Sequence, residues 1–157
     1  MKNIYKFSFI IFSFALASSF LISTFAIDLK LKNFNEILIG FSLSFFGLGV
    51  VIASLIHNII REKFNLYFTL VSSILIQLLF ILLIFFQFKI LTIVIITFIL
   101  GITNHINFLT IETYISSNFK KKSGFYISLF WSSAGLGAIL GSLIIAINGV
   151  NLLSYYI

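Results

Sequence analysis

Long apolar runs alternate with short polar breaks along this chain, and the runs have membrane length. Uncharged or nearly uncharged stretches cover Phe7 to Ile27, Ile37 to about Ile60, Leu66 to Phe88, Leu91 to about Ser117 and Phe125 to Ile147. A helix crosses the hydrocarbon of a bilayer in roughly 20 residues, so each run predicts one crossing. The expected fold is all-α, a polytopic transmembrane helix bundle of about five spans. Residues Leu152 to Ile157 read as the start of a sixth. The whole chain, 1–157, is expected to form a single transmembrane domain, with helices at about 7–27, 37–60, 66–88, 91–117 and 125–147.

The breaks between runs are too short to fold separately. Asp28 to Glu36 is a polar connection of balanced charge, His57 to Asn65 reads as a tight turn between antiparallel helices, and Gln87 and Lys89 mark a shorter turn. Lys120, Lys121 and Lys122 form a basic break before the fifth run. The fourth run exceeds what a bilayer requires and should tilt or protrude. At the start, two lysines, an apolar run and Ala26 suggest a secretory signal peptide, but that run is longer than the ~7 to 15 apolar residues of such signals. It reads as a retained anchor.

Composition supports the same picture. With 61% hydrophobic and 9% charged residues, the chain is too apolar for a soluble domain. The net charge of +6 could indicate nucleic acid, yet the cations are scattered between apolar runs and not gathered on one hydrophilic face. They read better as an orientation signal, because Lys and Arg are retained on the cytoplasmic side. Lys2, Lys6, Arg61, Lys63, Lys120, Lys121 and Lys122 fall on one side, and Lys30, Lys32 and Lys89 on the other. The N terminus is therefore expected in the cytoplasm and the protein in the cytoplasmic (inner) membrane. Without cysteine there is no disulfide, thiolate or Cys metal site, and the lack of proline is unusual for membrane helices.

Chemistry concentrates in the fourth run. On a helical wheel His105 and Glu112 share a face with Gly101, while Thr103, Asn107, Thr110 and Tyr114 lie roughly opposite. A stripe through Ile99, Ile102, Ile106 and Leu109 is left for lipid. Ionisable groups at membrane depth are costly unless paired or facing water, which makes Glu112 the first candidate for a proton or substrate pathway. The competing reading pairs it with Arg61 or the lysine cluster. His105, Asn104 and Asn107 are further pathway candidates, although a neutral histidine satisfied by a neighbouring helix is the favoured reading of His105 and interhelical hydrogen bonding is the commoner use of membrane asparagine. Paired carboxylates, a Ser/His/Asp set, a metal cluster and a phosphate loop are all missing, so no catalytic residue, metal or cofactor is expected.

Small residues supply packing faces. Gly49 and Ala53 sit four apart in the second run, and Ser133, Gly137 and Gly141 recur at that spacing in the fifth, beside Ala134, Ala138 and Ser142. Such faces let another backbone approach closely. Trp131 and Tyr126 read as interfacial anchors.

The run Leu100-Gly101, Ile111 to Ile115, Lys120 to Gly124, Gly135 to Gly137 and Leu140-Gly141 is similar to the fourth and fifth helices of the major facilitator superfamily. It is closest to the efflux-like branch, whose helix four ends in Glu-Ser-Trp-Leu, the place held here by Glu112 to Ile115. Phe34 to Gly40 resembles the entry to that family's second helix. In the loop where the family carries Gly, Asp, Arg, Gly and Arg, this chain has Ala53, His57, Asn58, Ile60 and Arg61, so Arg61 alone matches. Helix five lacks the glycine-proline pair of antiporters. The resemblance implies twelve helices in two halves, with a small organic solute bound between them and carried by proton-coupled efflux. It also implies a missing C-terminal half or a second membrane subunit, toward which the glycine faces would point. An alternative of another class is a stand-alone scaffold or assembly subunit, or an inactive fragment, with the glycine faces of helices two and five as its interface.

Overall fold

The computed structural model describes residues 2–84 and 90–148, all in helices and short connections. In chain order the elements are α1 (Lys2–Leu31), α2 (Glu36–Lys63), α3 (Leu66–Ile84), α4 (Ile90–Asn118), a single 3₁₀ turn at Lys120–Lys122, and α5 (Ser123–Asn148). Each of the five helices is long and apolar enough to cross a membrane. The expected turn at Gln87 and Lys89 and the start of a sixth span lie outside the described residues.

The helices outrun the apolar runs, because charged residues near an interface reach water while their backbone stays helical. Asp28 and Lys30, expected in a loop, belong to the last turns of α1, where Lys32 Nζ meets Asp28 at 2.8 Å. The helix ends at Leu31, and two residues on the chain turns away through a left-handed residue, Asn33 with φ of 61°. Phe34 N–H reaches back to Leu29 O at 3.1 Å and Asn33 N–H to Lys30 O at 3.0 Å. This is the Schellman stop, and asparagine tolerates it without a glycine. Asn35 then caps α2, its side chain accepting from Ile37 N–H at 3.0 Å. At the other end α2 continues through Asn58, Arg61 and Glu62 to Lys63, so His57 stands inside a helix and not in a turn. Only Phe64 and Asn65 join α2 to α3, and Asn65 caps α3 by accepting from Phe68 N–H at 2.7 Å.

Two compact units emerge. One holds residues 1–34 and 115–157, the other residues 35–114. In the first, α5 lies against α1 through glycine. Gly137 faces Phe12 and Leu16, and Gly141 faces Leu16 and Phe20. Because the contacts advance in the same direction along both helices, α1 and α5 are parallel. A Cβ on Gly137 would sit 3.1 Å from Leu16 N, and one on Gly141 3.0 Å from Phe20 N, with the carbonyls of Phe12 and Leu16 nearer still. Beside these contacts Ser19 Oγ and Ser142 Oγ share a hydrogen bond of 2.7 Å. The buried line of α5 is Phe130, Ala134, Gly137, Gly141 and Ile145. Ser133 stands beside it, its hydroxyl donating to Leu129 O of its own helix.

In the second unit Gly49 of α2 and Gly101 of α4 interlock. A Cβ on Gly49 would lie 2.9 Å from Ile102 N, and one on Gly101 2.9 Å from Phe46 C. Ala53, one turn after Gly49, is fully buried. The faces expected to await a second subunit are thus filled by this chain's own helices, which removes the glycine pattern as an argument for a partner. The same contact corrects the expected lipid stripe. Ile102 lies against α2 through its backbone and Ile106 is buried. An apolar stripe cannot distinguish lipid from protein inside a membrane, since both are equally oily.

Adding a methyl where it meets backbone forces helices apart, at about 1 to 3 kcal/mol per overpacked site. Gly49→Ala, Gly101→Ala, Gly137→Ala and Gly141→Ala should each lower stability in detergent by that order, measured by chemical denaturation. Gly47→Ala and Gly135→Ala, where the added atom meets nothing within 4 Å, should leave it unchanged or raise it.

Candidate functional site

Inside a bilayer a polar side chain either bonds its own helix, bonds a neighbour or faces water. Most hydroxyls here take the first course, as Ser54 does with Val50 O, Thr103 with Ile99 O and Thr113 with Leu109 O. They are neutral in their surroundings. The residues that differ gather on α4 and the helices beside it.

Three levels of α4 reach across to neighbours. At the first, Thr97 donates its hydroxyl to Ser42 O of α2 at 2.9 Å. At the second, Asn107 is buried and uses its side-chain amide fully, its oxygen accepting from Ser73 of α3 and its nitrogen donating to Gln77 at 3.4 Å. At the third, Thr110 and His57 of α2 meet at 3.3 Å, both buried. The polar groups of α3 that looked like scattered interruptions, Thr69, Ser73 and Gln77, are all buried and lie at four-residue spacing, one stripe of a helix. That spacing was the available signal. His57, assigned to a turn, was missed because a helix that continues past the apolar run leaves no mark in hydropathy.

Near the third level stand three further ionisable side chains of this unit, Arg61 of α2 and His105 and Glu112 of α4. The charges of Arg61 and His105 reach His57, and that of Glu112 reaches His105. Two histidines, a guanidinium and a carboxylate thus share one region of α2 and α4. The Nη1 atom of Arg61 is buried with no hydrogen-bond partner among the described residues. Asn104, His105 and Glu112 are half-buried, unlike Asn107 and Thr110. The four proposed pathway residues therefore divide. Asn107 is committed to α3, while His105 and Glu112 stand on the face with Gly101, turned toward α2, and keep part of their surface open. Among the described residues no three His, Cys, Asp or Glu side chains gather in a way that could hold a metal ion.

Compared with known proteins, the chain matches one family model, described as Major Facilitator Superfamily, over residues 7–154. No curated protein and no solved structure gives a significant match.

Interhelical hydrogen bonds in membranes average about 0.6 kcal/mol and reach about 1.7 kcal/mol. A double-mutant cycle of Asn107→Ala with Ser73→Ala should return a coupling in that range. His57→Ala with Thr110→Val should do the same, and Thr103→Ala, whose hydroxyl bonds Ile99 O and Leu100 O of its own helix, should couple to neither.

Proposed function

We propose that this chain, which belongs to the Major Facilitator Superfamily, carries a small organic solute across the cytoplasmic membrane by proton-coupled efflux. Membership in a transporter family and five helices able to span a bilayer are the framework. The observation that carries the finer reading is the half-buried pair His105 and Glu112, seven residues and so about two turns apart on one face of α4. A carboxylate and an imidazole held at membrane depth in partial contact with water can each take up a proton, and their charge then depends on which side supplies it. Asn104, next to His105, is the remaining candidate for hydrogen bonding to solute. Asn107 holds α4 to α3 and supports the site from behind.

The reading of orientation rests on cation placement. Arg61, Lys63 and Lys120 to Lys122, with the lysines near the N terminus, should face the cytoplasm. The chain has no cysteine, so single cysteines can report sides directly. A cysteine at Lys121 should resist a membrane-impermeant maleimide in intact cells and react after lysis, while one at Lys32 should react in both. The reverse pattern would invert the topology.

Glu112→Gln keeps the size of the side chain and removes its proton. In cells expressing the gene, export of fluorescent small organic solutes should lose its dependence on external pH and fall about tenfold. Normal export by the variant at every pH would sink the proton role and leave membership of the family untouched.

A further inference from the structure

At the end of the first unit where α1 and α5 both begin, the chain forms a recess of about 660 Å³. It is lined by Lys121 and Lys122 before α5, by Ser123, Tyr126 and Leu129 on its first turns, and by Tyr5 of α1. None of these residues takes part in the polar cluster of α2 and α4. The lining has three parts with different chemistry. Two ammonium groups, with no carboxylate among the lining residues, supply positive charge, hydroxyls of Ser123 and the tyrosines supply hydrogen bonds, and Leu129 with the two-thirds-exposed Phe125 supplies an apolar floor.

We infer that this recess binds the phosphate headgroup of an anionic phospholipid, with the acyl chains lying along α5. Its volume is within the ~300 to 1,000 Å³ of ordinary ligand pockets. Its place is set by the spans themselves. Both helices continue from it as apolar, membrane-length segments, so the recess opens where the headgroups of the bilayer lie. Basic pockets between membrane helices at that level select anionic headgroups, and a lysine near such a surface contributes about 1 kcal/mol, or about fivefold in binding. A soluble phosphate would meet the same lysines but gain nothing from Phe125 and Leu129. Lys120 lies next to Lys121 in sequence yet does not line the recess, which separates a built site from diffuse surface charge. The inference needs the chain only to sit in a bilayer and is independent of transport.

The lone tryptophan, Trp131, is exposed on α5 two residues beyond Leu129 and serves as reporter. In vesicles of phosphatidylcholine containing a minor fraction of phosphatidylglycerol brominated on its acyl chains, quenching of Trp131 should exceed that given by equally brominated phosphatidylcholine. The preference should fall about tenfold or more in Lys121→Gln/Lys122→Gln and persist in Lys120→Gln. Ser123→Asp, which places a negative charge in the recess without removing a lysine, should also abolish it. Equal quenching by the two lipids would overturn the proposal, as would equal loss in Lys120→Gln, which would signify unlocalised charge. Loss of the preference on adding 50 mM inorganic phosphate at constant ionic strength would assign the recess to free phosphate and overturn the lipid assignment.

Discussion

Two apolar helices in a bilayer gain little by exchanging lipid for each other, since hydrocarbon surrounds them either way. What joins them must come from nearer approach than a lipid tail can offer. Here that approach occurs at Gly49 and Gly101 in one unit and at Gly137 and Gly141 in the other, where a methyl group would collide with the backbone opposite. The remaining contacts depend on it. Ser19 can bond Ser142, and Thr97 can reach Ser42 O, only because the axes are already close. Gly40, Gly47, Gly124 and Gly135 have open space where their side chains would be, so composition alone does not mark the contacts.

The polar cluster follows from the same constraint. Because α2 and α4 run in the same direction and close together, residues later in one meet residues later in the other, Ser42 with Thr97 and His57 with Thr110. Polar groups so matched lose the cost of burial in hydrocarbon. His105 and Glu112 are only half-buried.

The five spans were readable from run length because a bilayer imposes one length scale on every helix. Their ends were less so, for water tolerates a charged helical turn as readily as a loop, and Asp28 and Arg61 were accordingly placed outside helices to which they belong. The glycine spacing of α5 was visible, but its partner was not. Sequence spacing gives a face and carries no information on whether the neighbour lies within the chain. For the same reason the stripe of isoleucines on α4 was given to lipid, although Ile106 is buried by protein. Asn107 and Glu112 looked equivalent as polar residues in one span. What separates them is Ser73 and Gln77, thirty or more residues away, and only packing brings those together with Asn107.

The hydrogen bonds described above from Thr97, Asn107 and Thr110 of α4 run to helices made before it, to α2 at Ser42 and His57 and to α3 at Ser73 and Gln77. Likewise the glycines of α5 meet α1. Synthesis proceeds from the N terminus, so the earlier helices are already in the bilayer when the later ones leave the ribosome. The span that reaches across to both neighbours thus emerges last among its three, at a moment when the partners of Thr97, Asn107 and Thr110 already stand waiting. The order of residues along the chain is also a timetable for insertion, in which a helix whose buried polar side chains need partners enters the bilayer after the helices that supply them.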